Sequence, residues 1–367
     1  MDSIETIIIG AGVIGLAIAR QLALQGHDVL ILEATSTIGS VTTARNSCVI
    51  HAGIYYAPTS AKAPHCIAGR DALYQYLAER QLPHQRCGKL IVATNPEQIA
   101  KLQEIEQRAI ANGVHDLQWL DTEGVHAKEP AVRGVAGLFS PSTGIVDVHE
   151  LIHSFLGDAE NHGVMLALHC PVTAVQVQEH GFLVNTGGDH PATLSCRNLI
   201  NAAGLGAQII AHHIAGLPSS SIPLRTLAKG NYFSLQGVQP FSHLVYPVPE
   251  IGGLGIHATI DLAGKVRFGP DVEWVETEDY TVNPARAESF YAAIRRYWPD
   301  LPDGALQPDY CGIRPKTNLP NHGDTDFIIQ SQQQHGIPRL INLYGIESPG
   351  LTASLSLAAS VAGLLHD

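Results

Sequence analysis

Several things are scarce in this 367-residue chain, and each scarcity excludes something. Charged residues make up 15% of it, fewer than in an average globular protein, and the acids outnumber the bases to give a formal net charge of −12. That balance argues against nucleic acid as a partner. It leaves room for a local basic pocket that takes a carboxylate. The six cysteines, Cys48, Cys66, Cys87, Cys170, Cys196 and Cys311, are scattered, with no C-x-x-C pair and no zinc spacing. No metal site is expected, and a reducing compartment is the natural setting. A basic start with a small-residue cleavage site is missing, so the expected location is cytoplasmic. The apolar stretch from Leu351 to Leu365 is too short and too rich in Ser and Thr to span a bilayer. Peripheral contact with the inner membrane face stays open. There is no internal repeat and no low-complexity segment.

Glycine, by contrast, is abundant, and its placement is informative. Thr6 to Ile9 is apolar, Gly10-Ala11-Gly12-Val13-Ile14-Gly15 follows, and Val29-Leu30-Ile31-Leu32-Glu33 closes the unit. The order predicts strand, tight turn, helix and strand, the context that a G-x-G-x-x-G dinucleotide site requires. Gly10 permits the turn, Gly12 lets a pyrophosphate approach the backbone, and Gly15 lets the helix pack close. The helix N-terminus offers N–H groups and a positive dipole end to phosphates. Glu33 is placed to take a ribose hydroxyl.

The remaining pattern predicts two connected domains. Residues 4–9 and 28–32 read as parallel core strands and 13–25 as the helix between them. Residues 36–62 read as an irregular, polar loop lining a cofactor, and 63–80 as an amphipathic helix. Residues 89–93 read as a strand and 96–112 as a solvated helix. Asp147 reads as the N-cap of a helix over 148–163. Short strands over 165–168, 172–177 and 181–186 suggest a small antiparallel unit. Residues 199–204 read as a strand returning to the nucleotide-binding sheet. Residues 222–275 are strand-rich with many aromatics. A helix over 284–298, a strand over 340–345 and a helix over 352–365 complete the reading.

A nicotinamide dehydrogenase would fit this far. Three features point to flavin instead: the early position of the glycine turn, the strand-to-helix junction from Asn342 to Thr352, and the segment Cys311-Gly312-Ile313-Arg314-Pro315. Arginine has the fork geometry for a carboxylate. Over essentially its whole length the chain resembles the FAD-dependent amino-acid and hydroxy-acid oxidoreductases of the D-amino acid oxidase type. The loop Asn46-Ser47-Cys48-Val49-Ile50-His51-Ala52-Gly53-Ile54-Tyr55-Tyr56 is more specific. With Cys87 to Ala93, Thr143 to Asp147, Lys229 to Phe233, Val245 to Pro249, Gly253 to His257 and Phe268 to Pro270, it resembles the L-2-hydroxyglutarate dehydrogenases/oxidases. Three departures stand out. Cys48 replaces the usual glycine of the loop, the stretch 346–350 has unusual wording with an acid at Glu347, and the chain is shorter than typical members.

The resemblance implies an α/β fold. A Rossmann-like FAD-binding domain is assembled from 1–86, 140–222 and 308–367. A second α+β substrate domain, built on a mostly antiparallel sheet, comes from 87–139 and 223–307. It implies that FAD is held by Gly10, Gly12, Val13, Ile14, Gly15, Glu33, Ala34, Thr43, Arg45, Asn46, Ser47, Val172, Ala203, Gly204, Gly345, Gly350, Leu351 and Thr352. The expected reaction moves hydride from an L-2-hydroxy acid to flavin and releases the 2-oxo acid, with L-2-hydroxyglutarate as the leading substrate. Oxidative deamination or demethylation of a small amino acid is the alternative. Arg314 is expected to clamp the α-carboxylate. His257, or else His51, is expected to take the hydroxyl proton. Tyr246 would add a hydroxyl donor and Tyr55 a pocket wall. Lys229 would meet a distal carboxylate or sit near flavin N5. Electrons would leave to dioxygen or to a membrane quinone.

Overall fold

The computed structural model describes residues 3–249, 255–320, 322–323 and 325–365. Gly253 and Leu254, named above, lie outside the described residues. Five parallel strands form the first layer, in the order Met165–Ala167, Val29–Leu32, Ser3–Ile9, Thr193–Asn201 and Leu340–Tyr344. Strand alternation gives each face its own partners. Ile8, Ile31, Ile200 and Ile341 face the helices Val13–Leu24, Lys62–Glu79, Val148–Glu160 and Gly350–Leu364. Ile7, Ile9, Leu30, Leu32 and Leu199 pack instead with Val172, Val175, Phe182 and Val184.

That second face is covered by the antiparallel pair Val172–Gln178 and Gly181–Thr186. The long strand Thr193–Asn201 serves both units. Its first residues pair with Gly181–Thr186, and the rest runs beside Ser3–Ile9. The expected antiparallel unit therefore needs one correction. Met165–Ala167 is not part of it, because it pairs in parallel with Val29–Leu32 at the edge of the nucleotide-binding sheet.

Helix ends follow local chemistry. Val13–Leu24 stops where Gly26 takes a left-handed φ of 86°, with the His27 amide returning to the Leu22 carbonyl. The Asp147 carboxylate accepts from the amides of His149 and Glu150, as an N-cap should. The helix expected over 284–298 is shorter: a 3-10 turn at Pro284–Arg286 leads into Ala287–Ile294.

The second layer is a mixed sheet that contains Thr226–Leu235, Leu244–Pro247, Ala258–Ile260, Val266–Phe268, Lys89–Ala93 and Ala136–Ser140. Its pairings are antiparallel except that Leu244–Pro247 runs parallel to Lys89–Ala93. Leu306–Lys316 pairs along Thr226–Leu235. A domain boundary at 308 would split this strand, and its pairing places all of 306–316 in the second sheet. No helix among the described residues is long and apolar enough to cross a membrane.

The helices Lys62–Glu79 and Gly350–Leu364 meet at Gly69. A Cβ there would lie 2.4 Å from the Thr352 carbonyl oxygen and 2.7 Å from the Ala353 Cα. Both obstacles are backbone, so nothing flexible can yield. Gly69→Val should therefore lower the unfolding free energy by about 1–3 kcal/mol through overpacking, read by chemical denaturation. An unchanged denaturation midpoint would contradict this close contact.

Candidate active site

The glycine turn is built by contact with its neighbours. Gly10 has a φ of 104°, and a Cβ on it would come 2.7 Å from the Ala202 carbonyl oxygen. A Cβ on Gly15 would come 1.9 Å from the Gly10 carbonyl oxygen, so the helix sits directly on the turn. Gly12 caps the helix in an extended conformation, without a side chain of its own to bind the free amides. The Val13 amide donates to Thr43 Oγ1 at 3.1 Å, which brings the polar loop to the helix N-terminus. The Glu33 carboxylate accepts from the Ala11 amide at 2.7 Å and from the Thr35 amide at 2.9 Å. It therefore stands beside the glycine turn at the end of its strand, with Ala34 next in the chain. Ala203 and Gly204 follow the strand whose Ala202 meets Gly10. Val172 is buried on the other face of the sheet. This small-residue cradle at a helix N-terminus fits a dinucleotide.

The polar loop holds itself in shape before it reaches the site. Asn46 Nδ2 donates to the Thr43 carbonyl, and Asn46 Oδ1 accepts from the Cys48 amide at 2.7 Å. Cys48 has a φ of 57°, the left-handed region that favours glycine. The residue type that the loop pattern usually carries at this position is thus the one the backbone favours. Ser47 hydrogen-bonds Tyr232. Arg45 lies over the Tyr280 ring at 4.3 Å, and its carbonyl presses against Gly312, where a Cβ would come within 2.1 Å. That crossing requires Gly312 and brings the loop onto the strand that carries Arg314.

The terminal helix closes the same region. Gly345 turns with a φ of 66° after the last parallel strand. Leu351 packs against the core below. Buried Thr352 accepts from the His51 amide at 3.0 Å and donates to the Val49 carbonyl at 3.3 Å. His51 Nε2 lies 3.2 Å from Ser348 Oγ, just before Gly350 opens the helix. Burial, followed by the nearby Lys89 and His257, pushes the His51 imidazole down to about 3. His51 is therefore neutral at physiological pH.

One wall is aromatic and basic. The His257 ring stacks on Tyr246 with centroids 3.6 Å apart. Lys89 Nζ lies 4.6 Å from the Tyr55 ring and 4.8 Å from the Tyr246 ring. The structure brings His51, Tyr55, Tyr246 and His257 near one another, with Lys89 beside them. Arg314 sits inside the strand Leu306–Lys316 rather than after a turn. Its Nη2 donates to the Asp271 carbonyl at 3.2 Å, and its buried Nη1 has no hydrogen-bond partner among the described residues. An orphaned guanidinium nitrogen suits an incoming carboxylate.

Lys229 does not join this group. Its ammonium is bound to the Asp279 carboxylate at 2.9 Å and to the Thr281 carbonyl. Gly230, the next residue, is the one that abuts Arg314. Successive residues of a strand face opposite ways, so Lys229 points away from Arg314. The role expected for it at a distal carboxylate or beside flavin is corrected on that ground. The missed counterpart, Lys89, carries a visible signal: a lysine that opens the otherwise apolar run Leu90 to Ala93.

The acid at 347 is neutralised locally. Glu347 Oε1 lies 3.1 Å from Lys62 Nζ and 2.7 Å from Lys316 Nζ. Burial alone would raise its carboxyl, but Lys62 and Lys316 bring it below the ordinary value.

A family model described as FAD dependent oxidoreductase matches residues 5–364, and the chain belongs to that family. It is 43% identical over 98% of its length to a protein of Arabidopsis thaliana named L-2-hydroxyglutarate dehydrogenase, mitochondrial, covering 83% of that protein. It is 27% identical to L-2-hydroxyglutarate dehydrogenase of Escherichia coli (strain K12), over 97% of this chain and 92% of that one. Its fold matches an FAD-bound, dithionite-reduced L-alpha-glycerophosphate oxidase from Mycoplasma pneumoniae, with a TM-score of 0.90 and 27% identity over 100% of this chain and 96% of that one. The chain is therefore an FAD-dependent oxidoreductase.

Removing one partner of a buried ion pair strands the others. Glu347→Gln leaves Lys62 and Lys316 facing each other and should cost about 3–5 kcal/mol of stability near neutral pH, read by denaturation. Because the carboxyl is held below its ordinary value in the folded state, its contribution is present above that value. It is lost as the pH falls through the lowered one. The gap between variant and wild type should therefore narrow below about pH 4. A gap that persists into acid would show that the ion pairs are not its source.

Proposed function

We propose that this enzyme oxidises an L-2-hydroxy acid to the 2-oxo acid, with L-2-hydroxyglutarate as its substrate. The observation that carries the reading is the pair of histidines, half-buried His51 and buried His257, on a wall that also holds Lys89. An amine can shed its extra proton to water before it binds. An alcohol cannot, so its oxidation calls for a positioned base. The 43% identity to a protein named for L-2-hydroxyglutarate supports the same choice.

FAD would be held by the cradle of Gly10, Gly12, Val13, Ile14 and Gly15, with Glu33 and Ala34 toward the ribose. Val172, Ala203 and Gly204 would line the adenosine end, and Thr43, Arg45, Asn46 and Ser47 the middle. Gly345, Gly350, Leu351 and Thr352 would face the ring end, where a helix N-terminus favours negative charge. Bound FAD supplies the acceptor for the hydride that leaves Cα. Arg314 binds the α-carboxylate through the nitrogen that has no hydrogen-bond partner among the described residues. Tyr246 and Tyr55 exclude water from one side. His257 takes the hydroxyl proton. His51, whose basicity burial suppresses, serves as a neutral hydrogen-bonding group that orients the hydroxyl.

The test is anaerobic bleaching of the flavin band by paired L- and D-2-hydroxy acids and amino acids, which makes the electron acceptor irrelevant. L-2-hydroxy acids should bleach it. If only amino acids do, the hydroxy-acid reading is wrong. His257→Gln should lower the limiting bleaching rate by about 10²–10⁴-fold, more than His51→Gln does. Arg314→Ala should raise the half-saturating substrate concentration by roughly 30-fold or more. A half-saturating concentration left unchanged would place the carboxylate clamp elsewhere.

A further inference from the structure

We propose that Lys89 holds the second carboxylate of a dicarboxylic 2-hydroxy acid and thereby selects diacids over monoacids; this rests on the oxidation proposed above. Three lysines are buried among the described residues: Lys62, Lys89 and Lys229. Lys62 is paired with Glu347, and Lys229 with Asp279. Lys89 is the most deeply buried of the three, at 1% exposure, and has no carboxylate partner among the described residues. Its ammonium lies over the faces of Tyr55 and Tyr246. Two rings stabilise a cation by about 0.5–2 kcal/mol each, far less than burying an unpaired charge costs.

The position also fits. Lys89 opens the strand Lys89–Ala93, opposite Ser140 on one side and Leu244 on the other. The Tyr246 ring is shared: His257 stacks on it and the Lys89 ammonium lies over it. A cation therefore stands one aromatic ring away from the proposed base. The titratable groups around it are His51, His257, Tyr55, Tyr246 and Cys66. Burial pulls the ammonium down to about 7. An arriving carboxylate restores the charged form, so binding is linked to proton uptake.

The test compares L-2-hydroxyglutarate with L-2-hydroxypentanoate, which has the same carbon count and no second carboxylate, by anaerobic bleaching of FAD-loaded enzyme. Lys89→Met should raise the half-saturating concentration of L-2-hydroxyglutarate by about 30-fold or more. That of L-2-hydroxypentanoate should rise by at least about tenfold less, so the loss falls mainly on the diacid whatever effect the substitution has on both acids. Should the variant fail to hold FAD, wild type still decides. Between pH 7 and 9, the affinity for L-2-hydroxyglutarate should fall by about 50-fold in all relative to that for L-2-hydroxypentanoate. The ratio cancels groups such as His257 that act on both acids alike. Equal losses on both acids, a loss confined to the limiting rate, or a pH-independent ratio overturns the assignment. If no 2-hydroxy acid bleaches wild type, the proposed activity fails and this assignment falls with it. If both acids bleach equally well and the variant is unchanged, the activity stands and only Lys89 is excluded.

Discussion

Burying positive charge where no protein acid balances it is the constraint that shapes this site. The chain carries a formal net charge of −12, so its overall field does not attract an anion. Attraction has to be local. Lys62, Lys89, Arg314 and Lys316 supply it, and Glu347 sits between two of them. Desolvating these groups is unfavourable by several kcal/mol per ion unless each finds a partner. Lys62 and Lys316 find theirs within the protein. Among the described residues, Lys89 finds no carboxylate and one nitrogen of Arg314 no hydrogen-bond partner. A site organised in this way is destabilised when empty and relieved by an anionic ligand. Affinity and specificity then come from one source.

Holding such a site needs rigid backbone, and the close contacts provide it. Four glycines mark places where one segment lies directly on another: Gly10 on Ala202, Gly15 on Gly10, Gly69 on Thr352 and Gly312 on Arg45. The first two build the nucleotide cradle. The third seats the terminal helix. The fourth ties the polar loop to the strand of Arg314. Thr352 then joins His51 and Val49 to that helix through its single hydroxyl. The proposed cofactor-binding elements and the substrate-facing sheet are thus coupled by backbone contacts, which do not adjust as side chains do.

Much of this was legible from residue order, and the limits have physical causes. The first strand–turn–helix unit was readable because glycine spacing and apolar runs are local signals. The N-cap at Asp147 was readable for the same reason. What failed was non-local. Met165–Ala167 resembles its neighbours in composition, yet it pairs with a strand more than a hundred residues earlier. Lys229 and Lys89 are both lysines of the second sheet's strands. Only the register of each strand decides that one faces Asp279 and the other faces Tyr55 and Tyr246. A shift of one residue would exchange such roles, and side-chain direction cannot be counted without the pairing. Cys48 is the inverse case. As a departure from the loop pattern it looked like a loss, and its left-handed backbone shows that the loop kept its shape.

The fold itself does not choose between alcohol and amine substrates, since both deliver a hydride to the same cofactor. The distinction lies in proton management. A site for amines needs to favour the neutral amine, which a nearby buried cation already does by repelling the protonated form. A site for alcohols needs an acceptor for a proton that water will not remove. This wall contains both features, a cation at Lys89 and imidazoles at His51 and His257. The cation alone would serve either chemistry. The imidazoles gain a purpose only with the alcohol, because a pre-deprotonated amine leaves no hydroxyl proton to collect. The two histidines, rather than the glycine motif or the arginine, are therefore the residues on which the hydroxy-acid reading turns.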